Sequence, residues 1–193
     1  MLESPETETD GRRRRSLDSR ARIVAAMVEL VQEGQVAASA ETVAERAQVG
    51  LRTVFRHFKD MDSLYREMSL VIEDRVVREI DHGAVDRRRP LSLDEAIRRR
   101  AALFELITPF KRAETAQRHR SRFLEQDIQR LNARLRQLLC DMLPAEILAD
   151  RPRLEALDLL LSFEAWDRLR REQSLSAEQA QGVLLAAVER LVG

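Results

Sequence analysis

The stretch Ser39-Ala-Glu-Thr-Val-Ala-Glu-Arg-Ala-Gln-Val-Gly-Leu-Arg-Thr-Val-Phe-Arg-His-Phe58 decides the fold. Ser39 is a good N-cap, because its hydroxyl can accept from a backbone N–H of the first turn. A short helix then runs through Thr42, Val43, Ala44, Glu45 and Arg46 to Ala47. Gln48-Val49-Gly50 breaks it, and a second short helix follows from Leu51 to about Phe58, with Val54 and Phe58 one turn apart. Small or branched apolar residues (Val43, Ala44, Ala47, Val49, Val54) stand where two such helices must touch. A side chain larger than Ala44 would push them apart. The outward face of the second helix carries Arg52, Thr53, Arg56 and His57, with Lys59 just past its end and no acid from Leu51 to Lys59. Two short helices with a tight turn and a cationic, hydroxyl-bearing outer face suit a helix-turn-helix whose second helix enters the DNA major groove.

Helical periodicity extends on both sides. Ile23, Met27, Leu30 and Val31 form one face of a preceding helix, and Gly34 is its stop signal. After the motif, Asp60 or Asp62 caps a helix with the stripe Leu64, Met68, Val71, Ile72 and Val76. Residues 1–15 are expected to be a disordered tail, acidic at first and ending in Arg12, Arg13, Arg14 and Arg15. The DNA-binding domain is placed at 16–62, and a connecting helix and loop with Gly83, Pro90 and several arginines at 63–91. A second domain then fills 92–193. In it, a helix over 93–107 is expected to be interrupted at Thr108-Pro109. A long helix carries Leu124, Ile128, Leu131, Leu135, Leu138 and Met142, and two helices close the chain at 153–172 and 177–192.

Composition agrees with an all-α protein. Aromatics are 4 %, and only 6 glycines and 5 prolines serve 193 residues, so turn chemistry and β-favouring residues are scarce. Formal net charge is zero, so any attraction to nucleic acid must come from charge distribution. From Gly11 to Lys59, ten basic residues face five acidic ones. The lone Cys140 forms no internal disulfide and fits a reducing, cytoplasmic setting. No apolar run is long enough for a bilayer span, and no membrane partner is expected. Three histidines and one cysteine form no metal cluster, and neither a phosphate loop nor a nucleophile–base pattern is present. No enzyme, metal or cofactor is therefore expected.

The run Thr42-Val-Ala-Glu-Arg-Ala-Gln-Val-Gly-Leu-Arg-Thr-Val-Phe-Arg-His-Phe-Lys-Asp-Met-Asp-Ser-Leu-Tyr65 closely resembles the helix-turn-helix of the tetracycline-repressor (TetR) family. The anchors are Val43-Ala44, Ala47, Val49, Thr53, Phe55, His57-Phe58 and Leu64, and the likeness spans about residues 16–76. It implies that Arg52 and Thr53 lie nearest base edges, that Arg56 reaches bases or backbone, and that Phe55, His57 and Lys59 contact phosphates. Gly50 would offer only backbone N–H groups, and Ser39 at the head of the preceding helix is counted with the DNA-binding set. The first arginines could form an arm into an adjacent groove. Departures from the family pattern are Gly50 for a serine, Gln48 for a turn glycine, Leu51 for a polar residue and Met61 for a lysine.

By the same resemblance, the second domain binds a small-molecule effector and makes a homodimer, and effector binding releases a repressor from its operator. Phe104, Phe110, His119, Met142, Phe163 and Trp166 are candidate pocket residues, because ligand pockets favour such side chains. The last two helices carry apolar residues on more than one face. Leu157, Leu161, Trp166, Leu184, Val188 and Leu191 are accordingly assigned to a dimer interface. The arginines Arg98, Arg99, Arg100, Arg118, Arg120 and Arg122 stand among many acids and read as a salt-bridged surface. The alternative to DNA reading is a helical protein–protein module that keeps a helix-turn-helix without using it on DNA.

Overall fold

The computed structural model describes residues 5–82, 92–118 and 121–193. Among these, every regular element is helical. The chain forms two compact units: Met1–Glu73 with Pro109–Glu125, and Asp74–Thr108 with Gln126–Gly193. Residues 109–125, expected to belong wholly to the second domain, thus return to the first unit. The first unit also ends inside a helix, at Glu73, rather than at a loop.

In the first unit, α1 (Pro5–Gln32) is followed by α2 (Ala40–Arg46), α3 (Leu51–His57) and the first part of α4 (Met61–His82). Helix α1 begins well before the expected start near Leu17, so the segment read as a disordered tail is helical from Pro5 onward. The sequence supports this locally. Proline suits a first helical position, acids favour the N-terminal turns, and Glu8 and Asp10 stand four residues before Arg12 and Arg14. Helix α1 stops at Gly34, whose φ of +91° is open to glycine at little cost. Gly34 N–H donates to Val31 O (3.0 Å) and Gln35 N–H to Leu30 O (3.0 Å), which uses up the last carbonyls of the helix. Asp60, not Asp62, caps α4. Its carboxylate accepts from Ser63 N–H at 2.8 Å, while Ser63 Oγ donates to Asp60 O at 2.7 Å. The core of this unit joins Ile23, Met27 and Leu30 of α1 to Val43 and Ala44 of α2, Val54 and Phe58 of α3, and Leu64 and Met68 of α4, all buried.

In the second unit, α5 (Leu93–Gln117) runs through Thr108-Pro109 without the expected interruption. Proline removes one N–H, so one carbonyl of the preceding turn loses its helical donor. The carbonyl that loses its donor is that of Glu105; Thr108 Oγ1 donates to the neighbouring Phe104 O at 2.6 Å. Helix α5 gives its first part to this unit and Pro109–Gln117 to the other. Helix α6 (Arg122–Cys140) buries Leu124, Leu135 and Leu139, leaving Leu138 41 % exposed. The heptad stripe expected through Leu138 drifts because a straight α-helix has 3.6 residues per turn, not 3.5.

The 153–172 helix is broken. After α7 (Ala145–Ala149), α8 spans Arg151–Leu160 and α9 Phe163–Asp167, the latter continuing as a π-helical turn over Arg168–Glu172. Ser162 causes the restart, since its hydroxyl accepts from Ala165 N–H at 3.1 Å and caps α9. A reciprocal Ser176–Gln179 capping box opens α10 (Ala177–Val192). Phe104, Phe163 and Trp166 meet in the core, with Phe104 edge-on to Phe163 at 5.7 Å. Trp166 Nε1–H donates to Glu105 Oε1 at 2.9 Å, and Arg170 clamps the same carboxylate through Nε (2.9 Å) and Nη2 (3.1 Å).

Candidate nucleic-acid interface

The turn between α2 and α3 decides which face α3 offers. Gln48 N–H donates to Glu45 O (3.1 Å) and Val49 N–H to Ala44 O (3.0 Å), a left-handed close built on Gln48 with φ +54°. A side chain with a Cβ costs about 1 kcal/mol in that conformation relative to glycine. Gln48→Gly is therefore expected to raise stability by about 0.5–1 kcal/mol without altering the motif. A chemical-denaturation midpoint that falls on this substitution would refute that account of the turn.

Gly50 then caps α3 with φ −69° and ψ 146° and gives no side-chain hydrogen bond. A Cβ added there would meet nothing within 4 Å, so the glycine is not demanded by packing. Ser39 caps α2, its Oγ accepting from Thr42 N–H at 3.2 Å. That bond commits part of its hydrogen-bonding capacity to the fold, although Ser39 is exposed.

With the turn set, Val54 (1 % exposed) and Phe58 (2 %) anchor α3 in the core. The opposite side presents Arg52, Phe55 and Arg56, with Lys59 beyond the helix, all exposed, and Thr53 half-buried. Phe55 is 51 % exposed and Leu51 37 %, an unusual pair of apolar side chains on a seven-residue helix. Among the described residues, Arg52, Arg56 and Lys59 enter no ion pair within 4 Å, which leaves their charge available to an external anion.

Two of the ten basic residues counted toward a phosphate footprint are used inside the unit instead. Arg46 makes a two-pronged bond to Glu33 (2.7 Å on each oxygen) and lies 3.6 Å from Glu29, tying α2 to α1. The same bond holds the Glu33 carboxyl below its ordinary pKa. Arg20 donates to His57 O at 2.9 Å, pairs with Glu67 at 2.8 Å and covers the Phe58 ring at 4.4 Å. It thereby ties α1 and α4 to the C-terminal end of α3. The cation–ring contact alone is worth about 0.5–1 kcal/mol. No local sequence signal marks Arg20 for this part, because its partners are 37 and 47 positions away.

His57, assigned to phosphate by resemblance, sits in a more enclosed setting than its neighbours on α3 that face outward. It is half-buried, and its Nε2 is enclosed with no hydrogen-bond partner among the described residues. Burial, then the neighbouring charges of Arg56 and Arg20, push its pKa below the usual 6.5. The imidazole is neutral at pH 7 and adds no charge to the face. As pH falls below 6.5, the unfolded chain takes up this proton before the folded one, so stability declines through that window. Thermal melts at pH 7.5 and 5.5 should show a smaller acid-induced loss in His57→Gln than in the parent. Equal losses would remove His57 from the account.

The arginine block Arg12–Arg15 falls within α1, and Arg14 is exposed. The arm that these arginines could form is helical here. Gln117 Nε2 donates to Val36 O at 3.3 Å, and Arg66 lies over the Phe123 ring at 4.8 Å, so residues 109–125 pack against the loop before α2 and against α4.

In the second unit, a cavity of about 110 Å³ is lined by Leu93, Ile97, Leu139, Met142, Leu161 and Val188 among others, with Arg100 in its wall. A wider groove of about 410 Å³ holds Arg100, Asn132, Glu155, Asp158 and Phe163. Of the candidate pocket residues, Met142 lines the cavity and Phe163 the groove. Phe104 and Trp166 are core, Phe110 is buried in the first unit, and His119 lies outside the described residues. The residues assigned to a dimer interface are placed differently as well. Leu157, Leu161, Trp166, Leu184 and Val188 are buried within their own chain and Leu191 half-buried. The exposed apolar residues of α8 and α10 are Leu159 (69 %) and Val183 (46 %).

Comparison with known proteins agrees with this architecture. Residues 23–68 match the family model described as bacterial regulatory proteins, tetR family. No curated protein matches the chain. Among solved structures, a protein named as a transcriptional regulator from Streptomyces coelicolor A3(2) is similar at 21 % identity. The match covers 90 % of this chain and 98 % of that one, with a TM-score of 0.62. A transcriptional regulator from Rhodococcus sp. Rha1 is similar at 16 % identity, over 89 % and 95 % of the two chains, with a TM-score of 0.63. The multidrug binding protein EbrR, complexed with imidazole, is similar at 20 % identity, over 90 % and 89 %, also at 0.63. At these identities the structural likeness speaks for the fold, while the family match rests on the helix-turn-helix itself. Residues 23–68 therefore carry the helix-turn-helix domain of the tetR family of bacterial regulatory proteins.

Proposed function

We propose that this DNA-binding transcriptional regulator is a cytoplasmic homodimer that represses its target genes and leaves its operator when a small molecule binds the second unit. The observation that carries the DNA-reading part is the division of α3. Val54 and Phe58 are sunk in the core while Arg52, Phe55 and Arg56 stand exposed beside Lys59. An exposed guanidinium can make a bidentate bond to guanine O6 and N7, and lysine can neutralise phosphate. Arg52 and Thr53 are assigned to base edges, Arg56 to bases or backbone, and Phe55, Lys59 and the Gly50 N–H to the phosphate chain. A dimer would set two such helices about 34 Å apart, one helical turn of DNA.

Release would use α5, which contributes residues to both units without a break. A ligand bound among its early residues therefore acts on a helix whose later residues belong to the unit that carries the helix-turn-helix. Leaving an operator requires only that the ligand-bound conformation fit DNA less well.

Fluorescence anisotropy with DNA from upstream of its own gene, a scrambled control and a salt titration tests the reading. Specific binding with a steep salt slope is the expected result. Equal, weak binding to both DNAs, followed by an empty genome-wide selection for bound fragments, would instead favour a module that does not read DNA.

A further inference from the structure

Arg98, Arg99 and Arg100 are consecutive, yet they meet different fates. Arg98 pairs with Asp94 at 2.8 Å and Arg99 with Glu95 at 2.6 Å, each one turn back along α5. Arg100 turns away from that exposed lattice of charges. Among the described residues it has no carboxylate within 4 Å, its Nη1 donates to Leu135 O at 3.2 Å, and its Nε is enclosed without a hydrogen-bond partner. Its guanidinium lies 5.8 Å from the Phe104 ring. Burial lowers its pKa to about 10, with Asp158 opposing the shift, so it stays charged at neutral pH. Arg100 as a whole is half-buried, and a partly desolvated cation without an ion pair among the described residues carries a cost to the fold that a bound anion would offset.

Among the described residues, Arg100 is also the only charged one lining the apolar cavity, whose other walls include Ala96, Ile97, Leu139, Met142 and Val188. The carboxylates nearest the groove on its other side are already engaged: Arg136 binds Glu155 at 2.9 Å and Asp158 at 2.7 Å. An apolar pocket with one charged donor group in its wall selects a ligand with one anionic end and one apolar end.

We infer that the cavity beside Arg100 binds a short-chain monocarboxylate, with the carboxylate on the guanidinium and the hydrocarbon tail among the aliphatic side chains. This deepens the reading of the second unit as the effector-binding part and rests on it. The size follows from the volume. A cavity of about 150 Å³ accommodates the six carbons of benzene, so about 110 Å³ suits a tail of about four. Pentanoate has that length.

The test is calorimetric titration of the full chain, free of DNA, with sodium salts of the straight-chain acids from acetate to octanoate and with neutral pentanamide. Affinity is expected to rise about fourfold per carbon up to about pentanoate and then flatten, as each further methylene finds no wall to bury against. Pentanamide should bind at least about tenfold more weakly. Arg100→Met, which keeps an apolar stem and removes the buried charge, should lose about tenfold or more in pentanoate affinity. Ala96→Leu, which fills the cavity while leaving Arg100 in place, should lose it as well, and a melt shows that both variants fold. Pentanamide binding as tightly as pentanoate, full affinity in Arg100→Met, or no binding of any acid in the series would each overturn the proposal. Because no DNA is present, a failure here leaves operator recognition standing, and a failure of operator recognition leaves this titration readable.

Discussion

Arg52→Ala is expected to abolish specific operator binding while leaving the fold intact. A good bidentate arginine–guanine contact is worth about 1–3 kcal/mol, and a symmetric dimer loses it in both half-sites. The combined loss is about 2–6 kcal/mol, a factor between about 30 and 20,000 in affinity. The stability change should stay within about 0.5 kcal/mol, since Arg52 is exposed and enters no ion pair among the described residues. Lys59→Ala provides the contrast. It should weaken binding to all sequences alike and lower the salt slope by about 1 per site, because a phosphate contact carries no base information. Anisotropy titrations at several salt concentrations, paired with melts, separate the two. An Arg52→Ala protein that still prefers the operator over scrambled DNA would remove Arg52 from base recognition.

The second large effect concerns assembly. Leu159 of α8 and Val183 of α10 are exposed, and Gly182 sits beside Val183 in the middle of α10. A Cβ added to Gly182 would meet nothing within 4 Å among the described residues. A mid-helix glycine costs about 1 kcal/mol against a good helix former, and among the described residues no neighbour demands it. The proposed homodimer supplies a reason, since glycine lets a partner helix approach closely. Gly182→Leu should therefore stabilise the isolated chain against denaturant by about 0.5–1 kcal/mol while shifting the protein from dimer to monomer. Leu159→Glu combined with Val183→Glu should dissociate it by placing charge in an apolar contact. Loss of the dimer would cost operator affinity at least about a hundredfold, because the second half-site is no longer bound intramolecularly. Light scattering coupled to size exclusion reads the mass directly. A parent protein that is monomeric, or a Gly182→Leu protein that remains dimeric, would sink the assignment of this face.

The helix-turn-helix could be read in sequence because its determinants are local. Ser39 caps α2, a two-turn segment follows, Gln48-Val49-Gly50 closes it, and α3 begins at Leu51. Each of these choices involves residues at most a few positions apart, and a helix's apolar stripe is printed directly in its spacing. The same locality makes Arg98 and Arg99 legible, since their partners lie one turn away. Helix ends were less legible where a helix ran on through a proline, with the Thr108 hydroxyl on Phe104 O, or restarted at a serine cap, as at Ser162. Both devices use ordinary threonine and serine hydroxyls that occur throughout the chain.

By itself, then, the amino-acid sequence determined an all-helical chain with a motif built to hold a cationic helix outward, because helix periodicity, capping and turn chemistry act over three or four residues. Only the tertiary structure decided which charges serve that face and which serve the fold. Arg20 and Arg46 look like Arg52 and Arg56 in sequence, but Glu67, Phe58, Glu33 and Glu29 claim them. It also decided that Leu157, Leu161 and Val188 belong to their own chain's interior, and that Arg100 leaves the surface of α5 for a cavity wall. Burial and pairing depend on residues brought together from distant positions, and periodicity along one helix carries no record of what packs against it.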